Sequence, residues 1–165
     1  VIVSGVFALV GASERVDARG VDAAAAAAER GVVVARVLHL ASRSLWVRAQ
    51  AEGAYRGSTL GADLDEVGFV HASAASQLPG VVAAVYGEED LVDHVLLVVD
   101  VDACEAAGSP VRWEAPPGGD QAYPHVYGPV PLAAVVAALD VGRDAAGALR
   151  LPDLAALDVV VVPPS

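Results

Sequence analysis

The sequence predicts an α+β domain. Several short β-branched or apolar runs are spread along the chain, and helical segments with start and stop signals interrupt them. The two kinds of segment do not alternate in the regular order of a parallel βαβ sheet. The expected inventory is about six to eight short strands with two or three helices.

Val32–Leu40 is β-branched and apolar, hence a buried strand with His39 near its end. Ser42 is placed to cap a helix that runs through Leu45, Trp46 and Ala49 to a stop at Gly53. Tyr55–Asp65 is polar and contains glycine, so it is expected as a loop, and Val67–His71 as a short strand. Ser76 is the expected cap of a second helix, with Pro79 in its first turn and Gly87 just past its end. The acidic run Glu88, Glu89, Asp90 and Asp93 separates that helix from a strong strand, His94–Val101.

Asp102 to Cys104 is expected as a short acidic connector. Pro110–Glu114 follows as a strand, Pro116–Asp120 as a turn, and Tyr123–Val130 as a hairpin-like stretch punctuated by prolines. Leu132–Val141 fits strand or helix. Gly142–Ala148 is expected as a turn before a last edge strand, Leu149–Leu151, and Val159–Val162 as a further strand or a frayed tail.

The first 35 residues differ in character. Val1–Ala12 is apolar with no basic stretch before it, and Asp22 followed by six alanines suggests a short helix ended by Gly31. Few large side chains anchor this segment. Residues 1–35 are therefore expected to be a weakly packed extension, or to precede the true start. The domain proper is expected over 36–151, with 152–165 as a tail.

Composition narrows the function. The chain has 165 residues, 55% hydrophobic and 19% charged, which is too apolar for intrinsic disorder and long enough for a core without metals or disulfides. Mean hydropathy is +0.52, yet no uninterrupted apolar stretch reaches the ~20 residues of a spanning helix, so no membrane segment is expected. Ten basic residues, all arginine, face 21 acidic ones, and the net charge of −11 disfavours broad nucleic-acid binding. A local arginine pocket for a small phosphate ligand remains compatible with that balance. The single cysteine, Cys104, allows no intrachain disulfide and fits a reducing cytoplasm; its acidic neighbours oppose a thiolate.

His39, His71 and His125 fall at strand ends or in a hairpin, where a scaffold presents polar groups to a cleft. Glu114 follows Trp113 and precedes two prolines, so its backbone is stiff. An aromatic wall beside it would raise its carboxyl by desolvation unless an arginine sits nearby. Ser73, two residues after His71, is a cap or a ligand hydroxyl. Arg56, in a glycine-containing loop, is either a bidentate phosphate donor or simply solvated.

Five segments follow the pattern of a known family in order. They are Val37-Leu38-His39-Leu40; Gly53-Ala54-Tyr55-Arg56 with Ser58 and Leu60; Gly68-Phe69-Val70-His71-Ala72-Ser73; Val111-Arg112-Trp113-Glu114; and the run from Tyr123 through His125 and Tyr127 to Leu132. The chain thereby resembles the bacterial "domain of unknown function 952" family between about Arg36 and Leu151. The resemblance implies a fold similar to ADP-ribosyltransferases, a strongly bent and split sheet around a dinucleotide cleft.

Carried over, that likeness gives His39 the ribose-holding role, sets His71 and Ser73 near the nicotinamide, and makes Glu114 the carboxylate facing the oxocarbenium-like centre. Arg56 and Arg112 become the phosphate donors, with Tyr55, Trp113 or Tyr127 stacking on a ring and His125 nearby. NAD is then the expected substrate, the expected ligand is small and nucleotide-like, and no metal is expected. The expected activity is ADP-ribosyl transfer or N-glycosidic cleavage. Two alternatives stand beside it: a nucleotide-binding module without chemistry, and a metal site built from His39, His71, His125 and Glu114.

Overall fold

The computed structural model describes residues 35–87, 89–161 and 163. The apolar run Val1–Ala12 and the helix expected after Asp22 lie outside them. The described chain is α+β, with many short strands in several small sheets and four helices.

The elements in order are β1 (Arg36–Ser42), α1 (Arg43–Glu52), β2 (Ala54–Tyr55), α2 (Leu64–Val67), β3 (Val70–His71), α3 (Leu78–Val85) and β4 (His94–Asp100). They continue with α4 (Val101–Ala106), β5 (Val111–Glu114), β6 (Tyr123–Val126), β7 (Val130–Pro131), β8 (Val135–Asp140), β9 (Gly142–Arg143) and β10 (Leu149–Arg150).

One antiparallel sheet has the order β1-β4-β8, and its two long strands are buried through their central five residues. Burial on both faces explains why they read as continuous apolar runs rather than as alternation. The pleat sends Val37, Ala41, Val95, Leu97 and Val99 into one core, which holds Ala49 of α1, Tyr55, Cys104 of α4 and Val126. It sends Leu38, Leu40, Leu96 and Val98 into a second core, closed by Leu78 and Val82 of α3 with Tyr86.

A second antiparallel sheet has the order β3-β6-β5. Its register sets His71 opposite His125, His125 opposite Arg112, and Glu114 opposite Tyr123. Directly opposed residues share a face, so this short sheet presents His71, His125, Arg112 and Glu114 on one side. Trp113 points the other way, into the first core. The two sheets meet where Leu38 and Ser73 exchange backbone hydrogen bonds of 2.9 and 2.8 Å. Gln77 fixes the start of α3 across that junction: its Oε1 accepts from the Ala74 amide, and its Nε2 donates to the Ala122 carbonyl at 2.7 Å.

Several expectations change. The loop and strand expected across Tyr55–His71 contain α2, which is started by an Asp63/Glu66 capping box and ended by Gly68 in the left-handed region; strand β3 is only Val70–His71. The acidic connector at Cys104 is helix α4, with the Asp100 side chain accepting from the Ala103 amide. Gln77, not Ser76, stands at the cap of α3. The ambiguous Leu132–Val141 resolves into a short 3-10 turn and β8, and Gly142–Leu151 into the β9–β10 hairpin. The stretch after Leu151 packs on the second core through Leu154, Leu157 and Val159, and bonds to Arg36, Ala75 and Ser76 by its backbone. No helix among the described residues is long and apolar enough to cross a membrane.

Candidate functional site

A cavity of about 650 Å³ opens at the junction of the two sheets. Residues of β1 form its floor, and the flank of α3 from Leu78 to Val85, with Tyr86 just past its end, forms an apolar wall. His71, His125 and Glu114 supply a polar wall, and Pro116 and Pro117 extend its rim.

His39 reaches the floor of this cavity but is spent on the protein itself. It is 3% exposed. Its Nδ1 lies 2.6 Å from the His71 carbonyl oxygen and its Nε2 lies 3.0 Å from the Tyr55 hydroxyl. A carbonyl only accepts, so Nδ1 carries the proton and Nε2 accepts from Tyr55. Burial pushes the His39 imidazolium down to a pKa of about 4, and the neutral ring is the form that satisfies both partners. His39 thus ties β1 to β3 and holds Tyr55. A ribose hydroxyl would have to break one of these bonds, so the expected ribose-holding role gives way to a positioning one.

Tyr55 is fully buried and does not line the cavity, which removes it as a stacking residue. Its burial holds the phenol well above its ordinary value. Gly57 makes this packing possible: a Cβ there would stand 2.5 Å from the Tyr55 hydroxyl and 2.7 Å from Leu45.

The half-buried groups on the polar wall are arranged differently. Nδ1 of His71 lies 2.9 Å from Oγ of Ser58, a residue only 1% exposed. Burial, followed by the nearby His125, lowers the His71 pKa. When the Ser58 hydroxyl donates to a neutral His71, the proton of the ring sits on Nε2, so His71 offers a donor.

His125 has the opposite polarity. Its Nδ1 donates to Oε2 of Glu114 at 2.9 Å, which leaves Nε2 as an acceptor in the neutral ring. The Tyr127 hydroxyl donates to the same Glu114 oxygen at 2.7 Å. These two bonds, that of His125 first, hold the Glu114 carboxyl below its ordinary value. That reverses the upward shift expected from an aromatic wall, because Trp113 faces away and the groups around the carboxylate are donors. The rings of His71 and His125 meet edge to face with centroids 5.3 Å apart.

The arginines expected as phosphate donors are elsewhere. Arg56 pairs with Asp65 at 2.6 Å and lines a separate depression with Tyr127 and Gly128. Arg112 lies over the Tyr127 ring at 4.8 Å. Neither lines the main cavity, nor do Trp113 and Tyr127. Ser73 does, with its backbone paired to Leu38. Among the described residues no cluster of three or more histidine, cysteine or acidic side chains has the geometry of a metal site, so the four-ligand metal centre is not assembled. Burial raises Cys104 to a pKa of about 11, which leaves it an inert core thiol.

Phe69 is the participant that residue-type reasoning passes over. Its ring stacks on His125 at 4.2 Å and meets His71 edge-on at 4.7 Å, so it fixes both imidazoles. The available signal was its spacing: Phe69 and His71 stand two apart, and strand geometry puts such a pair on one face. The apolar flank of α3 carries no such signal, because a helix packed on a core and a helix lining a cavity have the same composition.

The protein-family model described as "Protein of unknown function (DUF952)" matches residues 40–138. The crystal structure of protein CC0527 from Caulobacter crescentus is similar at 30% identity and a TM-score of 0.56, covering 70% of this chain and 93% of that one. The solution structure of CC0527 gives 31% identity and the same TM-score, covering 74% of this chain and 97% of that one. No curated protein matches the chain.

Proposed function

This chain belongs to the DUF952 family, and from that premise we propose that its cavity binds a ligand with a ribose joined to a heteroaromatic base, the class that includes NAD, and cleaves or transfers at the N-glycosidic bond. One observation carries the proposal: a carboxylate at the cavity wall, Glu114, is held ionised by two donors, His125 and Tyr127. An ionised carboxylate is the group that offsets positive charge developing at an anomeric carbon.

The imidazoles supply the proton inventory. The C1′–N bond breaks with its electron pair leaving on the base, a cationic base departing as a neutral molecule, and the His71 N–H donates a hydrogen bond to the nitrogen that receives the pair. Water or an acceptor hydroxyl adds to C1′ and gives its proton to Nε2 of His125. The apolar flank of α3 covers the base. The likeness to ADP-ribosyltransferases belongs to this proposal, supported by the opening of the cavity where two small sheets part.

The test is release of free base from a panel of NAD, ADP-ribose and simple ribosides, followed by chromatography. The wild-type chain is expected to release base from at least one member. Glu114→Gln is expected to lose about 100-fold or more of that rate at an unchanged melting temperature. Equal rates in both proteins would overturn the mechanism. Thermal stabilisation by a riboside without base release would favour the binding module instead, a reading supported by how much of the lining is apolar side chain.

A further inference from the structure

Resting on that proposal, we infer that within that class the cavity favours unphosphorylated N-glycosides over phosphorylated members such as NAD, and among them those whose base is cationic. Arginine is the only basic residue type in the chain besides histidine, and among the described residues no arginine lines the cavity. Arg112, two residues from Glu114 and on the same sheet face, lies over the Tyr127 ring outside the cavity lining, and other arginines are committed elsewhere. Arg56 is paired with Asp65, Arg36 with Asp100 and Asp158, and Arg43 with Asp140. Arg143 is bound to the backbone carbonyls of Gly87, Glu89 and Gly147.

The lining therefore contains one carboxylate, Glu114, and three imidazoles, of which His39 has both ring nitrogens bonded to the protein. Burial, followed by the nearby His125, lowers the His71 pKa. Helix α3 contributes its flank from Leu78 to Val85, with Tyr86 just past its end, and Pro79 removes one amide from its first turn. Among the described residues, a phosphate brought here would meet an anion and no cation in the lining, with an apolar wall in place of water. A cationic base inverts that balance. It brings a positive charge into the cavity beside Glu114, and it leaves as a neutral molecule when the C1′–N electron pair moves onto its ring. Its departure consumes no proton; hydrolysis then takes up one water and releases one proton, through His125.

A matched series isolates the two charges: guanosine, 7-methylguanosine, and 7-methylguanosine 5′-monophosphate. Each is titrated calorimetrically into the full chain, and base release is measured in parallel. 7-Methylguanosine is expected to bind at least about tenfold more tightly than its phosphate and than guanosine, and to release base faster than either. In Glu114→Gln the preference over guanosine should shrink to about twofold or less.

If the phosphate binds as well as the nucleoside, or guanosine as well as its methylated form, the charge selectivity is wrong while the ribosyl site stands. If none of the three binds or is cleaved, and NAD and ADP-ribose also fail, the ribosyl site itself is wrong and the selectivity falls with it.

Discussion

Two histidine networks lie within one cavity wall's reach of each other, and they are built to opposite ends. At the floor, His39 is buried and gives both nitrogens to the protein, one to the His71 carbonyl and one to Tyr55. On the wall, His125 gives one nitrogen to Glu114 and keeps the other, and Glu114 is 38% exposed in its side chain. The same residue type serves as a brace where both ring atoms are satisfied and presents a free acceptor to the cavity where one is left over. Burial and the partner count, not the presence of a histidine, separate the two.

The largest expected effect breaks the brace. His39→Ala leaves the Tyr55 hydroxyl and the His71 carbonyl without their partner and opens a void, at a cost of about 3–4 kcal/mol in denaturant unfolding. His39→Gln, which keeps a donor and an acceptor, should lose clearly less. On the wall, Glu114→Gln is expected to leave the melting temperature within experimental error. If both substitutions destabilise equally, the two networks are not different in kind.

Acid should act on the brace next. Burial lowers His39 from its ordinary 6.5 to about 4, so between those values the unfolded chain binds the proton that the folded chain refuses. Stability from this group is complete above pH 6.5 and declines as pH falls toward 4, by about 3 kcal/mol in all. His71, also lowered, adds to the same slope. Glu114, lowered from 4.5, adds its own loss only below that value. Unfolding free energies measured at several pH values should show this slope in the wild type and a flatter one in His39→Gln. A flat wild-type profile above pH 4 would mean that His39 is not buried neutral.

Smaller effects sharpen the contrast. Gly57→Ala crowds the Tyr55 hydroxyl and Leu45, and an expected loss of about 2 kcal/mol would appear as a lower denaturation midpoint. Tyr55→Phe removes one buried hydrogen bond at about 1–2 kcal/mol. Tyr127→Phe should be nearly silent in stability. By withdrawing one of two donors from Glu114 it lets that carboxyl rise toward its ordinary value, moving the acid limb of any activity profile to higher pH.

Much of the scaffold is legible in the chain. The runs at Val37–Leu40 and Val95–Val99 announce doubly buried strands, and Gly53 marks the end of α1. Helix α2 was legible too, through Asp63 and Glu66 spaced for a capping box, but a polar glycine-containing window reads more readily as loop. Helix α4 hides because Asp100 ends a strand and caps a helix in the same residue. The site is partly legible: His71, His125 and Glu114 converge from three strands, as polar groups at strand ends suggest. What residue types cannot carry is direction. Nothing in Arg112-Trp113-Glu114 alone says that Trp113 enters the core while its neighbours face out, and nothing in Tyr55-Arg56 says that the ring is swallowed by His39 while the guanidinium turns to Asp65. Those outcomes depend on strand register and on tertiary partners far along the chain.

The difference between brace and polar wall is most directly visible in the imidazole nitrogens by ¹⁵N NMR, recorded with and without a riboside. His39 and His125 should carry their proton on Nδ1 and His71 on Nε2, and the ligand should shift the Nε2 signals of His71 and His125 while leaving both His39 signals in place. A ligand that moved His39 and spared the other two, or the reverse tautomer at His125, would contradict it.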